Sequence, residues 1–273
     1  MRVPSVLADA DVVARRNITK IKRVPDLLVF TTLQPIMFVL LFSYVFGGAI
    51  GSALGSGSGA GEAYREFLMA GIFAQTVIFG ATITGSALAE DVKKGIIDRF
   101  RSLPMAPSAV LAGRTLSDVV NNVIVLVVMS LTGLAVGWRI RSGFVDAVIG
   151  YVVLLAFAYA ASWIMAWVGM LVRSPEVFNN ASFIVIFPLT FIAITFVPLD
   201  TLPAPLQRFA EWNPVSSVTQ AAREQFGNVI PGTPEPAAWP LQNPVLYTLL
   251  WAVVILAVFI PLANLQYRRS TSR

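Results

Sequence analysis

The chain of 273 residues contains no cysteine and no histidine. Without thiols there is neither a disulfide framework nor a thiolate nucleophile. A zinc or haem site lacks its usual ligands, and hydrolytic triads built on imidazole are excluded. Charge is also scarce: Asp, Glu, Lys and Arg supply 13% of residues, about half the share of a soluble domain. The apolar remainder, 56% of the chain, is gathered into runs rather than spread.

A helix that crosses a bilayer needs about 20 mostly apolar residues. Six runs qualify, at about 27–48, 67–89, 116–136, 145–171, 178–198 and 245–264. None alternates with period two, which favours helices over a lipid-facing barrel. The expected fold is an all-α polytopic membrane protein. Residues 27–264 form a six-span transmembrane domain, preceded by segment 1–26 and followed by tail 265–273.

Basic residues set the orientation. With the N-terminus inside, Arg2, Arg15, Arg16, Lys20, Lys22, Arg23, Lys93, Lys94, Arg99, Arg101, Arg114, Arg173, Arg268, Arg269 and Arg273 are cytoplasmic. Only Arg65, Arg139, Arg141, Arg208 and Arg223 fall outside. This three-to-one excess follows the positive-inside rule and predicts a multi-pass plasma-membrane protein with both termini cytoplasmic. The net charge of +5 is therefore topology and contact with membrane lipids, with no nucleic-acid partner. Residues 5–23 space Val6, Ala10, Val13, Ile18 and Ile21 as an amphipathic helix on the inner leaflet.

The glycine- and serine-rich stretch 47–63 lacks the Gly-Lys-Ser/Thr ending of a phosphate-binding loop and reads as a flexible outer loop. The sequence holds no nucleotide-binding motif. Pro35, Pro188 and Pro261 can kink spans. Gly133 with Gly137, and Ala81 with Gly85, are small-xxx-small pairs that allow close helix approach. Gln34, Gln75, Thr82, Thr84, Ser86, Asn121 and Asn122 are the polar residues within spans. Amides there face protein or a wet cavity, so they either bond between helices or line a substrate path. The path candidates are Gln75, Thr82, Asn121 and Asn122. Asp118 lies near the inner end of its span and Glu66 near the outer end of its own, so no ionisable group is expected at mid-depth. Residues 200–228 read as two short outer helices before the last span, with Trp138 and Trp212 at the outer interface.

The stretch "EDVKKGIIDRFRSLPMAP" (90–107) is a dense charged patch between greasy runs. Val92, Ile96, Phe100 and Leu103 form one apolar stripe with Ile97 beside it, which predicts a helix over about 90–103. Leu103-Pro104 ends it, and Ser108 suits the N-cap of the next helix. Acids Glu90, Asp91 and Asp98 are mixed with the bases. That mixture fits a protein groove better than a lipid surface.

The segments "EDVKKGIIDRFRSLPMAPSAVLAGR" and "FVPLDTLPAPLQRFAEWNPVSSVTQAAR" resemble type-2 ABC exporter permeases, in particular the daunorubicin-resistance-type subgroup. The resemblance implies a half-transporter: two permeases, identical or homologous, with two cytoplasmic ATPase subunits that hold the ATP and Mg. The chain itself would bind no cofactor or metal and have no catalytic residue. The 90–103 segment would be the coupling helix, with Val92, Ile96, Ile97, Phe100 and Leu103 toward the ATPase and Glu90, Arg99 and Arg101 at the rim. A pathway between the permeases, along spans two and five with span one beside them, would carry hydrophobic or amphiphilic cargo such as antibiotics or lipids. Two alternatives stand beside this one. An ion-coupled secondary carrier would need mid-span ionisable groups. An intramembrane enzyme would need a catalytic cluster at mid-depth.

Overall fold

In lipid, a segment that cannot pair its own N–H and C=O groups is heavily penalised, so long apolar runs coil into helices. The computed structural model describes residues 25–46, 60–97, 107–230 and 235–269, and the regular structure among them is helical. α1 (Pro25–Leu41) continues into a π-helical turn, Phe42–Phe46. α2 (Ala60–Lys93), α3 (Pro107–Val136), α4 (Phe144–Leu171) and α5 (Pro175–Phe191) follow. A 3-10 turn (Leu199–Thr201) leads to α6 (Ala204–Trp212), α7 (Pro214–Phe226), α8 (Trp239–Gln242) and α9 (Pro244–Arg269).

Among the described residues, four helices are long and apolar enough to cross a membrane: α2, α3, α4 and α9. α1 before its π turn and α5 have 17 residues each. They rise about 25 Å, less than a hydrocarbon core of about 30 Å. The apolar run expected over 178–198 outlasts α5 by several residues. Pro188 lies inside α5 and removes a helical N–H. After Phe191 the chain turns irregularly while staying buried.

Several backbone groups freed there find partners on other elements, as buried irregular backbone requires. Asn213 Nδ2 donates to Leu189 O at 2.8 Å. Ile194 N donates to Ser216 Oγ at 3.3 Å. Tyr64 OH donates to Phe196 O at 3.2 Å. Asn213 also caps α7, accepting from Val215 N at 2.9 Å, with Pro214 at the first helical position where its missing N–H costs nothing. Two short helices, α6 and α7, occupy the 200–228 stretch. α7 is wedged among α2, α4 and α9, and most of its residues are buried.

α2 is the axis of the bundle, packing along α4, α5 and α7. Its 34 residues span about 50 Å. Gly85 and Gly169 bring the backbones of α2 and α4 into contact; a Cβ at either would strike the other helix. Gly71 likewise lies against the Thr195 carbonyl. The Ala81–Gly85 pair thus marks a close crossing. The Gly133–Gly137 pair does not: Gly133 meets the Met69 and Trp138 side chains, and Gly137 (φ +103°) ends α3. Trp138 is not an interfacial residue but a core one. Its ring is buried edge-on against Phe73 and Phe226, and its Nε1 donates to Asn228 Oδ1 at 2.7 Å. Trp212 is exposed.

Candidate functional site

Gln75 and Asn122 sit near the middle of α2 and α3, about 20 Å or more from either helix end. Gln75, Thr82, Asn121 and Asn122, the four residues expected on a substrate path, line one cleft of about 270 Å³. Gln34, Pro35 and Phe38 of α1 form a third wall, with Ile72, Thr76, Phe79, Gly80, Ile83 and Val125 completing the lining. Seven residues separate Gln75 from Thr82, two helical turns, so one face of α2 carries both. No lining residue is charged. Thr82 Oγ1 donates to Phe79 O of its own helix at 2.6 Å. Asn122 is 2% exposed, and its Oδ1 has no hydrogen-bond donor among the described residues. A Cβ at position 80 would stand 2.5 Å from that oxygen, so only glycine admits the amide here. The cleft lies between α1, α2 and α3 of one chain, not along α5.

Asp118, one turn from Asn122 on α3, is buried, and its Oδ2 has no partner. α3 begins at Pro107, nine residues before the apolar run expected from the sequence. Asp118 therefore lies three turns inside α3, at the start of the expected apolar run.

A second constellation sits where α5 has unwound. Arg223 of α7 is 1% exposed. Its Nε donates to Phe67 O at 3.0 Å, and its Nη2 to Ile194 O at 2.5 Å and Thr195 O at 3.1 Å. The guanidinium stacks 3.4 Å from the centre of the Phe67 ring. A planar cation with a fork of donors can reach carbonyls that lie apart, whereas the donors of an ammonium all radiate from one atom. The fork ties α2, α7 and the irregular 194–195 backbone together. Beside it, Arg141 donates to Glu66 Oε1 from Nε at 2.9 Å and Nη2 at 2.8 Å, and Arg65 Nε donates to Gly61 O at 3.1 Å.

The third region is the C-terminal end of α2. The single helix expected over 90–103 is interrupted. Glu90 and Val92 complete α2, and the chain then turns at Lys94–Gly95, where Gly95 adopts φ +63°. That left-handed conformation suits glycine and closes a helix. Lys94 Nζ bonds Glu90 Oε1 at 2.5 Å, and this partner holds the ammonium above its ordinary range. Lys93 reaches Glu176 of α5 at 3.7 Å; both are exposed, so this pair contributes little. Ile96 is half-buried. Ile97, expected to face a partner, is 3% exposed, packed in a core cluster with Leu88, Leu111, Met170 and Tyr267. Arg99, Phe100, Arg101 and Leu103 lie outside the described residues. So does the amphipathic helix expected over 5–23.

Sequence reasoning counts Arg223 only as an outer charge. The available signal is its setting: Ser216, Ser217, Ala221 and Ala222 precede it, small residues all round a helix, as befits one buried on every side. Gly80 carries no sequence signal, because its role depends on an amide 42 positions away.

The family model for the ABC-2 type transporter matches residues 10–226. The daunorubicin resistance ABC transporter permease protein DrrB1 of Streptomyces coeruleorubidus is 34% identical over 209 residues, 77% of this chain and 71% of that protein. The probable doxorubicin resistance ABC transporter permease protein DrrC of Mycobacterium tuberculosis is 26% identical over 202 residues, 72% of this chain and 69% of that protein. The doxorubicin resistance permease protein DrrB of the same species is 28% identical over 193 residues, 71% of this chain and 66% of that protein. With a family match that takes in α1 through α7, and relatives aligned over most of its length, this helical membrane protein belongs to the ABC-2 type transporter family.

Proposed function

We propose that the chain is the membrane-spanning permease subunit of an ATP-driven exporter of hydrophobic or amphiphilic compounds, drug-like or lipid-like. The observation that carries this reading is the ABC-2 match over residues 10–226, joined to relatives named as drug-resistance permeases. The absence of a nucleotide-binding motif from the sequence agrees with fuel supplied elsewhere. ATP and Mg belong to a cytoplasmic ATPase partner, in two copies, and a second permease completes the pathway. The chain crosses the plasma membrane six times, α1 and α5 included, with both termini cytoplasmic. Exposed Asn179 and Asn180 on α5, beside exposed Phe183 and Ile184, support pairing there: amides are costly against lipid and cheap against another chain.

In this reading the ATPase grips residues 90–103. Glu90, Ile96, Arg99, Phe100, Arg101 and Leu103 meet the partner, while Ile97 and Val92 seat the segment on its own bundle. Motion there passes along the continuous rod of α2 to the outer end, where Phe67 and Gly71 touch the irregular 194–195 backbone. ATP binding biases the bundle between inward and outward arrangements through its different affinity for the two. One observation favours an ion-coupled carrier instead, the buried carboxyl of Asp118.

Because the chain has no cysteine, single-site crosslinking is clean. Phe100→Cys is expected to crosslink to the ATPase and Gly57→Cys is not. Labelling of Phe100→Cys in intact cells by a reagent confined to the outside would overturn the topology and the docking together.

A further inference from the structure

The cleft between α1, α2 and α3 has a chemistry of its own. It lies midway along α2 and α3, where a bilayer has its lowest polarity, yet it is walled by the amides of Gln34, Gln75, Asn121 and Asn122. Asn122 Oδ1 is a buried acceptor without a donor, and such an atom forfeits a full solvation shell. Nothing ionised lines the cleft to match a charge. Phe38 and Phe79 give it flat apolar surface. At about 270 Å³ it exceeds the room of a single water many times over and sits at the lower end of small-molecule sites. Gln34 is exposed, and Thr82 and Asn121 are half-buried, so the cleft opens on the flank of the bundle rather than at its ends.

We infer that this cleft is a binding site for an uncharged hydrogen-bonding group carried on an aromatic or apolar frame, reached sideways from within the membrane. A hydroxyl or amide N–H of the ligand donates to Asn122 Oδ1. The amide N–H groups of Gln75 and Asn121 donate to its oxygens. The frame lies against Phe38 and Phe79. This rests on the permease reading and adds the chemistry selected at mid-depth. It also separates the recognition step from the surface of α5: a single chain holds every group needed, so binding does not require a second permease.

The test uses the full chain in lipid nanodiscs without an ATPase, with energy transfer from its tryptophans to three matched probes. These are anthracenemethanol, methylanthracene and the anthracenemethylammonium cation; transfer in nanodiscs with excess protein-free lipid corrects for partition. One satisfied buried acceptor is worth about tenfold in affinity. The alcohol is therefore expected to bind about tenfold more tightly than the hydrocarbon, and more tightly than the cation, whose charge no lining residue balances. Asn122→Leu, nearly isosteric, should abolish that preference and leave hydrocarbon binding as tight or tighter. Gln75→Met, on the opposite wall, should reduce the preference as well, and stands in should Asn122→Leu fold poorly. Equal binding of alcohol and hydrocarbon, tightest binding of the cation, or a preference that survives the variants would overturn the proposal. Such failure leaves the exporter reading intact, since that stands on the ATPase crosslink, which these probes do not touch.

Discussion

Replacing Arg223 by lysine isolates what the guanidinium fork contributes. A basic side chain is kept, but the compact, strongly hydrated amine of lysine is harder to bury than a guanidinium, and it cannot serve the carbonyls of Phe67, Ile194 and Thr195 in their present places. If two of the three bonds are lost, each worth about 1.5 kcal/mol at the low end for a charged donor, the 194–195 segment loses about 3 kcal/mol. At 1.4 kcal/mol per tenfold, its open population rises by about two orders of magnitude. Thr195 offers the reporter. It is fully buried, and its Oγ1 has no partner, so Thr195→Cys removes no hydrogen bond and adds the only thiol in the chain. Maleimide labelling of Thr195→Cys should accelerate about a hundredfold when Arg223→Lys is added, with the helix content by circular dichroism unchanged. Equal labelling rates in the two backgrounds would show that Arg223 does not hold the irregular backbone, and the reasoning would fail.

Three further outcomes are expected. Gly71→Ala drives a Cβ into the Thr195 carbonyl; overpacking of that kind costs about 2 kcal/mol, visible as a Tm lowered by about 6 °C in detergent. Asp118→Asn removes a buried carboxyl whose Oδ2 is unpartnered; it should raise Tm and leave ATP-driven export intact, whereas loss of export would favour the ion-coupled carrier. Gly95→Ala meets no atom within 4 Å, so its cost is the left-handed backbone alone, about 1 kcal/mol; export in the reconstituted complex should fall well beyond what that small loss of stability explains, and unchanged export would remove the break at Gly95 from the coupling path.

The apolar runs are legible because lipid imposes one rule on every residue of a span, and α4 and α9 begin and end close to where hydropathy alone puts them. The end of α5 is not legible. Residues 192–197 are as apolar as the helix before them, and the partners that stabilise their irregular backbone, Ser216 and Arg223, lie twenty or more positions away. The convergence of Gln75, Thr82, Asn121 and Asn122 is half legible: spacing places Gln75 and Thr82 on one face, but only the packing of α1 and α3 turns that face into a cleft. The break at Gly95 could be read from a glycine following a basic last turn. The apolar stripe from Val92 to Leu103 outweighs it, because period alone does not register one left-handed residue. Trp138 looks interfacial by type and position; its indole is instead enclosed by Asn228 and Phe226, which arrive from α7 and the turn after it.

The division of labour between an unfuelled membrane subunit and a separate ATPase is tested most directly by reconstitution into sealed vesicles with a fluorescent amphiphile. With the ATPase and Mg-ATP, the amphiphile should accumulate against its gradient. With this chain alone, it should stop at equilibrium under any imposed proton or sodium gradient. Uphill accumulation by the chain alone would contradict the assignment at its root.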